Sequence, residues 1–477
     1  MRSLSLALPV LSILAGNSSP LLAQLPEARR VNQVDVYHGL EVADPYRWLE
    51  AMESSETLDW VRAQDEYARS FAAELSHRNL VREQIEVTAG VNRFRAPVKR
   101  GGRYFYIESD GSGLGGFRVM MRDGLRVPAR ELIGYNAKPG RNVSGFVPDP
   151  AGRYVAYGTM MGQSRWERWY VRDVALGSDL ADEIRGVNRA VSTVVWAPDG
   201  SGFYYGKLEE PDSATMLSAS VLPGELYYHR LGSRQIDDTL VFSPESDEWF
   251  FTHAVTDDGR FLVVTSRKQS SNNNLVFVKN LTTPRSVFIQ LTPEADASYA
   301  LVGSTESRLL FLTNLDAPNS RVISIDFENP ATEEWAEVIP ESEDAVDTWI
   351  GARAAGDRIV VGYRKDALLV IKLFNLDGSN KLELDLPAVR SVWTGLVGRQ
   401  WEHEAFYNLS GFADPGSIYR VDLATGESTL FKRPELDYNP DDIVTRQVFF
   451  TSADGTRVPM FVAHRRDLPL DGSRPAL

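Results

Sequence analysis

One short stretch, GRYVAY at residues 152–157, decides the fold of this chain because it recurs along the sequence. It consists of turn residues followed by an apolar strand. Six further copies begin at Gly102, Gly202, Gly259, Ser307, Asp357 and, in a degenerate form, His403. A second pattern, an alternating strand that ends in a polar turn, follows each copy and begins near Phe117, Trp169, Leu226, Leu275, Arg321, Leu369 and Ile418. Successive starts of this second pattern lie 52, 57, 49, 46, 48 and 49 residues apart.

Seven copies at nearly one period in each register predict a mainly β fold, a seven-bladed β-propeller over residues 96–440. One four-stranded blade cannot bury both of its faces, whereas blades stacked in a ring can. The alternative is a β-sandwich whose strand spacing is accidental, which seven matches in both registers disfavour. The degenerate seventh copy leaves the number of blades open.

The first 24 residues have the pattern of a signal peptide. Arg2 is basic, Leu4 to Ala15 form a short apolar run, and small residues precede Gln24. The apolar run is too short to span a membrane. A periplasmic or secreted protein is therefore expected, the alternative being a disordered or mis-started N-terminus.

Residues 25–95 are predicted to be a helical segment. Apolar residues recur at helical spacing between Leu58 and Leu75, and either Ser54 or Ser55 is placed to cap the helix. A second short helix is predicted from Asn79 to Val87.

The last strands of the chain form a predicted hairpin. Gln447–Phe450 and Val458–Ala463 read as strands, and Asp454-Gly455 supplies the positive φ of a two-residue hairpin turn. Because an isolated hairpin is marginally stable, residues 441–477 are expected to open a sheet that continues beyond Leu477.

Composition excludes several classes of function. A formal net charge of −14 argues against a nucleic-acid partner, and the absence of cysteine removes disulfides, thiolate nucleophiles and cysteine metal ligands. After the N-terminal segment no run reaches transmembrane length, so no membrane partner is expected.

Local motifs assign no catalytic, cofactor-binding or metal-binding residue. No serine or threonine lies in a G-x-S-x-G frame, and the six histidines lack metal-ligand spacing and read as surface or packing residues. The G-x-G-x-x-G at residues 111–116 is followed by a strand, which favours a loop of the first blade over a dinucleotide site. Acidic clusters at 237–238, 257–258, 341–344 and 441–442 are predicted to be solvated turns. A glycosidase-type carboxylate pair stays open, although no spacing points to one.

Several longer motifs carry a family resemblance. They are YHGLEVADPYRWLE at 37–50, VWAPDGSGFYY at 195–205, YHRLG at 228–232 with QIDD at 235–238, and SADGTRVPM at 452–460. In combination they resemble the prolyl oligopeptidase family, and the resemblance covers nearly all of the chain after residue 24.

This resemblance implies a propeller capping an α/β-hydrolase domain that is built from both chain ends. Residues 25–95 would pack on that domain, and residues 441–477 would be its first strands. In the family, a Ser–Asp–His triad on that domain cleaves short peptides after proline, and the resemblance implies that the propeller restricts access to oligopeptides, the expected partners. The family's triad falls beyond Leu477, so this chain alone is expected to be inactive.

One propeller residue that lines the substrate pocket in the family is aromatic, and its place falls on Val191, which does not match. The alternative function is a non-catalytic, secreted propeller that binds a partner.

Overall fold

The computed structural model describes residues 25–474, except 110, 112–116, 163, 211–223, 247, 349 and 387–390. The predicted signal peptide therefore lies outside the described residues. The chain divides into two compact units, one ending at Thr88 and the other beginning at Ala89.

The N-terminal unit combines a small hairpin with two helices. Its elements are β1 (Val34–Tyr37), β2 (Leu40–Ala43), α1 (Ser55–Glu74) and α2 (Arg78–Ala89). Ser54 is the N-cap of α1, because its hydroxyl accepts a hydrogen bond from the backbone N–H of Thr57 at 3.2 Å. Both predicted helices are therefore confirmed, and Ser54 is the capping residue.

The DPYRWLE segment makes several side-chain contacts within this unit. The guanidinium of Arg47 bonds to Asp44 at 2.8 Å and lies 3.4 Å from Glu50. The indole N–H of Trp48 donates to the carbonyl of Arg29 at 2.7 Å. The ring of Trp48 meets that of Trp60 edge-on at 6.3 Å. That the segment docks this unit on another domain stays a prediction.

The second unit contains seven antiparallel blades. The first four are β3 (Val98–Arg100), β4 (Arg103–Ser109), β5 (Phe117–Arg122) and β6 (Arg130–Ile133); β7 (Asn142–Pro148), β8 (Tyr154–Met160), β9 (Trp166–Asp173) and β10 (Asp179–Asn188); β11 (Val194–Trp196), β12 (Gly202–Lys207), β13 (Glu225–Arg230) and β14 (Thr239–Phe242); and β15 (Trp249–Val255), β16 (Phe261–Lys268), β17 (Asn274–Asn280) and β18 (Ile289–Gln290). The last three are β19 (Tyr299–Thr305), β20 (Arg308–Thr313), β21 (Arg321–Asp326) and β22 (Ala336–Ile339); β23 (Ala345–Val346), β24 (Ala352–Ala355), β25 (Arg358–Lys365), β26 (Leu368–Asn375) and β27 (Leu382–Glu383); and β28 (Ser391–Gly398), β29 (Glu404–Gly411), β30 (Asp414–Asp422) and β31 (Ser428–Lys432).

The two sequence registers correspond to the two middle strands of every blade. The first register gives β4, β8, β12, β16, β20, β25 and β29, and the second gives β5, β9, β13, β17, β21, β26 and β30. These strands read as apolar runs because both faces of each blade are covered by the neighbouring blades. The degenerate copy at His403 is the true strand β29, so the count of seven is confirmed.

Among the described residues, seven clusters of buried apolar side chains lie between the blades, one at each junction. Phe105 of blade 1 and Tyr157 of blade 2 share one cluster. Tyr106 of blade 1 and Ile418 of blade 7 share another, which closes the ring. Full burial of such a side chain stabilises the fold by roughly 1.5–3 kcal/mol.

After the blades comes the hairpin of β32 (Ile443–Thr451) and β33 (Arg457–Arg465). Both predicted strands are confirmed, but the two-residue turn is wrong. Thr451 pairs with Arg457, so five residues form the loop, and of these Gly455 has a positive φ of 89°. The amide of Thr456 donates to the carboxylate of Asp454 at 2.9 Å, which stabilises this longer turn.

The hairpin contacts the tip of blade 6. The side-chain amide of Gln447 donates to the carbonyl of Asp366, and the guanidinium of Arg457 lies 3.4 Å from its carboxylate. That the hairpin opens a hydrolase sheet stays a prediction.

Candidate functional site

A cavity of about 500 Å³ lies where β15 and β19, the first strands of blades 4 and 5, begin. Its wall includes Val191, Phe250, Phe251, Tyr299 and Leu301. The volume of this cavity and its largely apolar lining are typical of pockets that bind small ligands. We call it the Val191 cavity.

The side chain of Asn188 holds the turn that presents Val191. Asn188 ends β10 and is buried, and its carboxamide oxygen accepts from the amide of Ala190 at 3.1 Å. Its carbonyl accepts from the amides of Val191 at 3.1 Å and Ser192 at 2.9 Å. Val191 is therefore fixed in the cavity wall, at the place where the family resemblance puts an aromatic residue. Aromatic surface is supplied here by neighbouring strands.

The opposite wall is fixed by reciprocal hydrogen bonds between Asn274 and Tyr299. The amide group of Asn274 donates to the Tyr299 carbonyl at 3.1 Å and accepts from its backbone N–H at 3.2 Å. The phenol of Tyr299 donates to Asp296 at 2.9 Å, and burial, together with this bond, raises its pKa. This wall presents a fixed, neutral surface.

Charge in the cavity wall is limited. Burial lowers the pKa of His253 to about 4, so its imidazole is neutral at pH 7. The guanidinium of Arg267 lies in the wall and donates to the carbonyl of Ser271 at 3.2 Å. The hydroxyls of Thr252 and Thr265 bond to each other at 2.6 Å. The cavity can bind an extended apolar segment, and its described residues offer no nucleophile activated by a base.

His229 joins blades 2 and 3 through a buried network. Its Nε2 lies 2.9 Å from the Asp182 carboxylate and its Nδ1 lies 2.7 Å from that of Asp238. Burial alone would lower the pKa of His229, but these hydrogen bonds outweigh it and raise the pKa. Burial would raise the pKa of Asp182, but the bonds from His229 and from the Gly232 amide lower it. We call His229, Asp182 and Asp238 the His229 clasp.

Two acidic clusters that were expected to be solvated turns contain bonded carboxylates, so the expectation is wrong for them. The side chain of Asp238 is 1% exposed and accepts from His229 and from the phenol of Tyr205 at 2.8 Å. That of Asp257 is partly buried and accepts from the backbone amide of Gln400 at 2.9 Å. No local sequence pattern indicates the pairing of Asp238, nor that of Asp257, whose partner lies 143 residues away.

The G-x-G-x-x-G motif lies between strands, as expected. Residues 112–116 are outside the described residues, but β4 and β5 on either side pair antiparallel, with Ser109 opposite Phe117. A dinucleotide site needs a helix after the glycines, and β5 stands in that place. In the part of the chain that the structure describes, no group of three or more histidine or acidic residues is arranged to hold a metal ion. None of the described helices is long and apolar enough to cross a membrane.

These features define the chain as a seven-bladed β-propeller with a cavity lined by residues of blades 4 and 5 and by the turn after β10. The family follows from comparison. The family described as "Prolyl oligopeptidase, N-terminal beta-propeller domain" matches residues 26–434, and the chain belongs to it. The resemblance carried by the sequence motifs is thereby confirmed.

Similar proteins match nearly the whole length of this chain at moderate sequence identity. A prolyl endopeptidase from Elizabethkingia meningoseptica is 27% identical over 470 residues, which cover 98% of this chain and 65% of that protein. A prolyl oligopeptidase from Omphalotus olearius is 29% identical and covers 92% of this chain and 63% of that protein. A solved structure from a study of two prolyl endopeptidases superimposes with a TM-score of 0.81 at 28% identity, covering 93% of this chain and 65% of that one. The chain thus spans about two thirds of the length of these proteins.

Proposed function

We propose that this chain is the propeller-bearing part of a serine endopeptidase that cleaves oligopeptides after proline. The observation that carries the proposal is the match of residues 26–434 to the propeller domain of the family. The Val191 cavity supports a role in peptide binding, although Val191 replaces the aromatic residue that the family resemblance puts at this position.

The Val191 cavity contributes binding, while the hydrolytic chemistry comes from a hydrolase domain. The hydroxyls of Thr252 and Thr265 bond to each other, the phenol of Tyr299 bonds to Asp296, and His253 is neutral. None of these arrangements activates a nucleophile. The 477 residues alone are therefore expected to bind proline-containing peptides without cleaving them.

An activity assay on residues 25–477 tests the division of labour. A chromogenic proline peptide is expected to show no turnover, and a fluorophosphonate probe is expected to label no serine. Turnover or labelling that survives repurification would show that the chain carries its own chemistry. Binding of a non-peptide partner without peptide binding would favour the non-catalytic propeller instead.

A binding experiment tests the cavity itself. Val191→Trp fills part of a space of about 500 Å³, whereas Val287→Trp adds the same bulk at a side chain that is 73% exposed and outside the cavity. Because the tryptophan fills part of the cavity, Val191→Trp is expected to lower the affinity for a fluorescent proline-containing octapeptide about tenfold or more. A tenfold loss corresponds to about 1.4 kcal/mol of binding free energy. Equal effects of the two substitutions would remove the cavity from the proposal.

We also propose export to the periplasm or medium. The basic Arg2, the apolar run and the small residues before Gln24 support it. Expression of the whole chain in a bacterial host, followed by N-terminal sequencing of the exported fraction, is expected to give a mature chain that starts at Leu25, after the predicted signal peptide. An uncleaved chain confined to the cytoplasm would contradict export.

A further inference from the structure

The loop between β28 and β29 reaches across the ring. This crossing loop, residues 399–402, belongs to blade 7. The backbone amide of Gln400 donates to the Asp257 carboxylate at 2.9 Å, in the turn after β15 of blade 4. The side-chain amide of Gln400 donates to the carbonyl of Ser304 in β19 of blade 5. Since blades 4 and 7 are not neighbours in the ring, these bonds cross its channel.

The same loop is bonded to the blades on either side of blade 7. On the blade 6 side, the amide of Gly356 donates to the Arg399 carbonyl at 2.9 Å and the amide of Asp357 donates to the Gln400 carbonyl at 2.7 Å. On the blade 1 side, the ammonium of Lys99 lies 3.4 Å from the Glu402 carboxylate. Four residues of blade 7 therefore contact blades 1, 4, 5 and 6.

The crossing loop is closely packed. Gln400 is 1% exposed although it lies in a loop. A Cβ added at Gly303 would lie 3.0 Å from the side-chain oxygen of Gln400 and 2.4 Å from the Cβ of Ala354. The absence of a side chain at Gly303 therefore makes room for both neighbours.

Among the described strands, a backbone bridge joins blades 1 and 2 but no other pair of neighbouring blades. Blades 1 and 2 share a backbone bridge from Phe117 to Val143. Among the described strands of blades 7 and 1 there is no such bridge, and side chains carry the junction. The phenol of Tyr104 donates to the Glu404 carboxylate at 2.7 Å, and the Asn408 side chain donates to the Phe94 carbonyl at 3.2 Å.

We propose that the crossing loop is a second closure of the ring, which acts in parallel with the side-chain junction of blades 7 and 1. Blade 7 can leave blade 1 by swinging on its junction with blade 6. A tie from blade 7 to blades 4 and 5 opposes this swing, because the distance from blade 7 to those blades must then change. The loop therefore adds a second connection that holds blade 7 in the ring.

Hydrogen exchange on four variants of this chain tests the proposal. Gln400→Ala removes the side-chain tie, Tyr104→Phe removes one bond of the junction, and the double variant removes both. Amide exchange is read in β4 and β29, which face each other across the junction. Parallel closures predict that the double variant raises this exchange about tenfold beyond the product of the two single effects. Gln400→Met, which has a side chain of similar length but cannot donate to Ser304, is expected to reproduce Gln400→Ala and guards against a packing defect.

Gln290→Ala is the matched control, because the Gln290 side chain donates to Thr292 at 2.8 Å at the outer edge of blade 4. It is expected to leave exchange in β4 and β29 unchanged, alone or with Tyr104→Phe. The proposal is wrong if the double variant shows only the product of the single effects. It is also wrong if faster exchange stays confined to residues 399–402 and their direct partners, or if Gln290→Ala has the same effect as Gln400→Ala.

Discussion

Replacing His229 with phenylalanine leaves two buried carboxylates without the imidazole that bonds to both of them. The side chains of Asp182 and Asp238 are 0% and 1% exposed. Each keeps one other donor, the Gly232 amide at 2.7 Å and the Tyr205 phenol at 2.8 Å. Breaking a buried ion pair costs roughly 3–5 kcal/mol, and the remaining donors favour the lower half of that range.

The expected loss for His229→Phe is about 3–4 kcal/mol in the free energy of unfolding. His229→Gln keeps one donor and is expected to lose about half as much, since a hydrogen bond to a charged group contributes roughly 1.5–3 kcal/mol. Urea unfolding followed by tryptophan fluorescence measures both losses, because Trp169 and Trp196 lie in the core between blades 2 and 3. A loss below about 1 kcal/mol for His229→Phe would refute a buried ionic clasp.

The His229 clasp also predicts how stability depends on pH. The folded protein raises the pKa of His229 above its ordinary value of 6.5, so the folded state holds this proton more tightly. Its contribution is complete below pH 6.5 and is lost as pH rises through the raised pKa. The difference between wild type and His229→Phe is expected to shrink with pH, with a slope of at most about 1.4 kcal/mol per pH unit for one proton. An unchanged difference from pH 6 to pH 9 would contradict a protonated clasp.

His253→Phe is the control for this pH dependence. Burial lowers the pKa of His253 from 6.5 to about 4, which at 1.36 kcal/mol per pH unit corresponds to about 3 kcal/mol. Because the unfolded state binds this proton more readily, His253 destabilises the fold as pH falls below 6.5. His253→Phe is therefore expected to flatten the stability profile from pH 6.5 to pH 4 and to leave the alkaline limb unchanged. A changed alkaline limb would mean that the limb does not report on His229.

Two local substitutions complete the tests. Ser54→Ala removes the cap of α1 and is expected to cost about 1 kcal/mol by thermal unfolding followed by circular dichroism, with Ser55→Ala near wild type. Gly303→Ala brings a Cβ to 2.4 Å from that of Ala354 and is expected to cost roughly 1–3 kcal/mol in urea unfolding. Gly145→Ala, which meets nothing within 4 Å, is the control, and an equal cost at both glycines would contradict overpacking.

The middle strands of the blades could be predicted from sequence because burial on both faces makes them apolar. Phe105 and Tyr157, which belong to the first-register strands of blades 1 and 2, are both fully buried. The outer strands carry no comparable pattern, since β18 has two residues and is only partly buried. Short, half-exposed edges pair through the backbone, which any sequence can do.

The residues that tie the ring together could not be predicted, because their partners are distant in the chain. Asp257 and Gln400 are 143 residues apart, and Tyr104 and Glu404 are 300 apart. Nothing near Asp257 distinguishes it from a solvated turn. Val191 was assigned only through the family resemblance, and its place in a cavity wall depends on β15 and β19, which begin about 60 and 110 residues later in the chain.

The chain enters and leaves the ring at nearly one point. The ammonium of Lys432, at the end of β31, lies 3.8 Å from the ring centroid of Phe94, which precedes β3. The two ends of this segment of more than three hundred residues already touch, so joining them requires little further loop closure. A short linker between these two points could replace the whole propeller, and a new pair of termini could be cut into any exposed turn between blades.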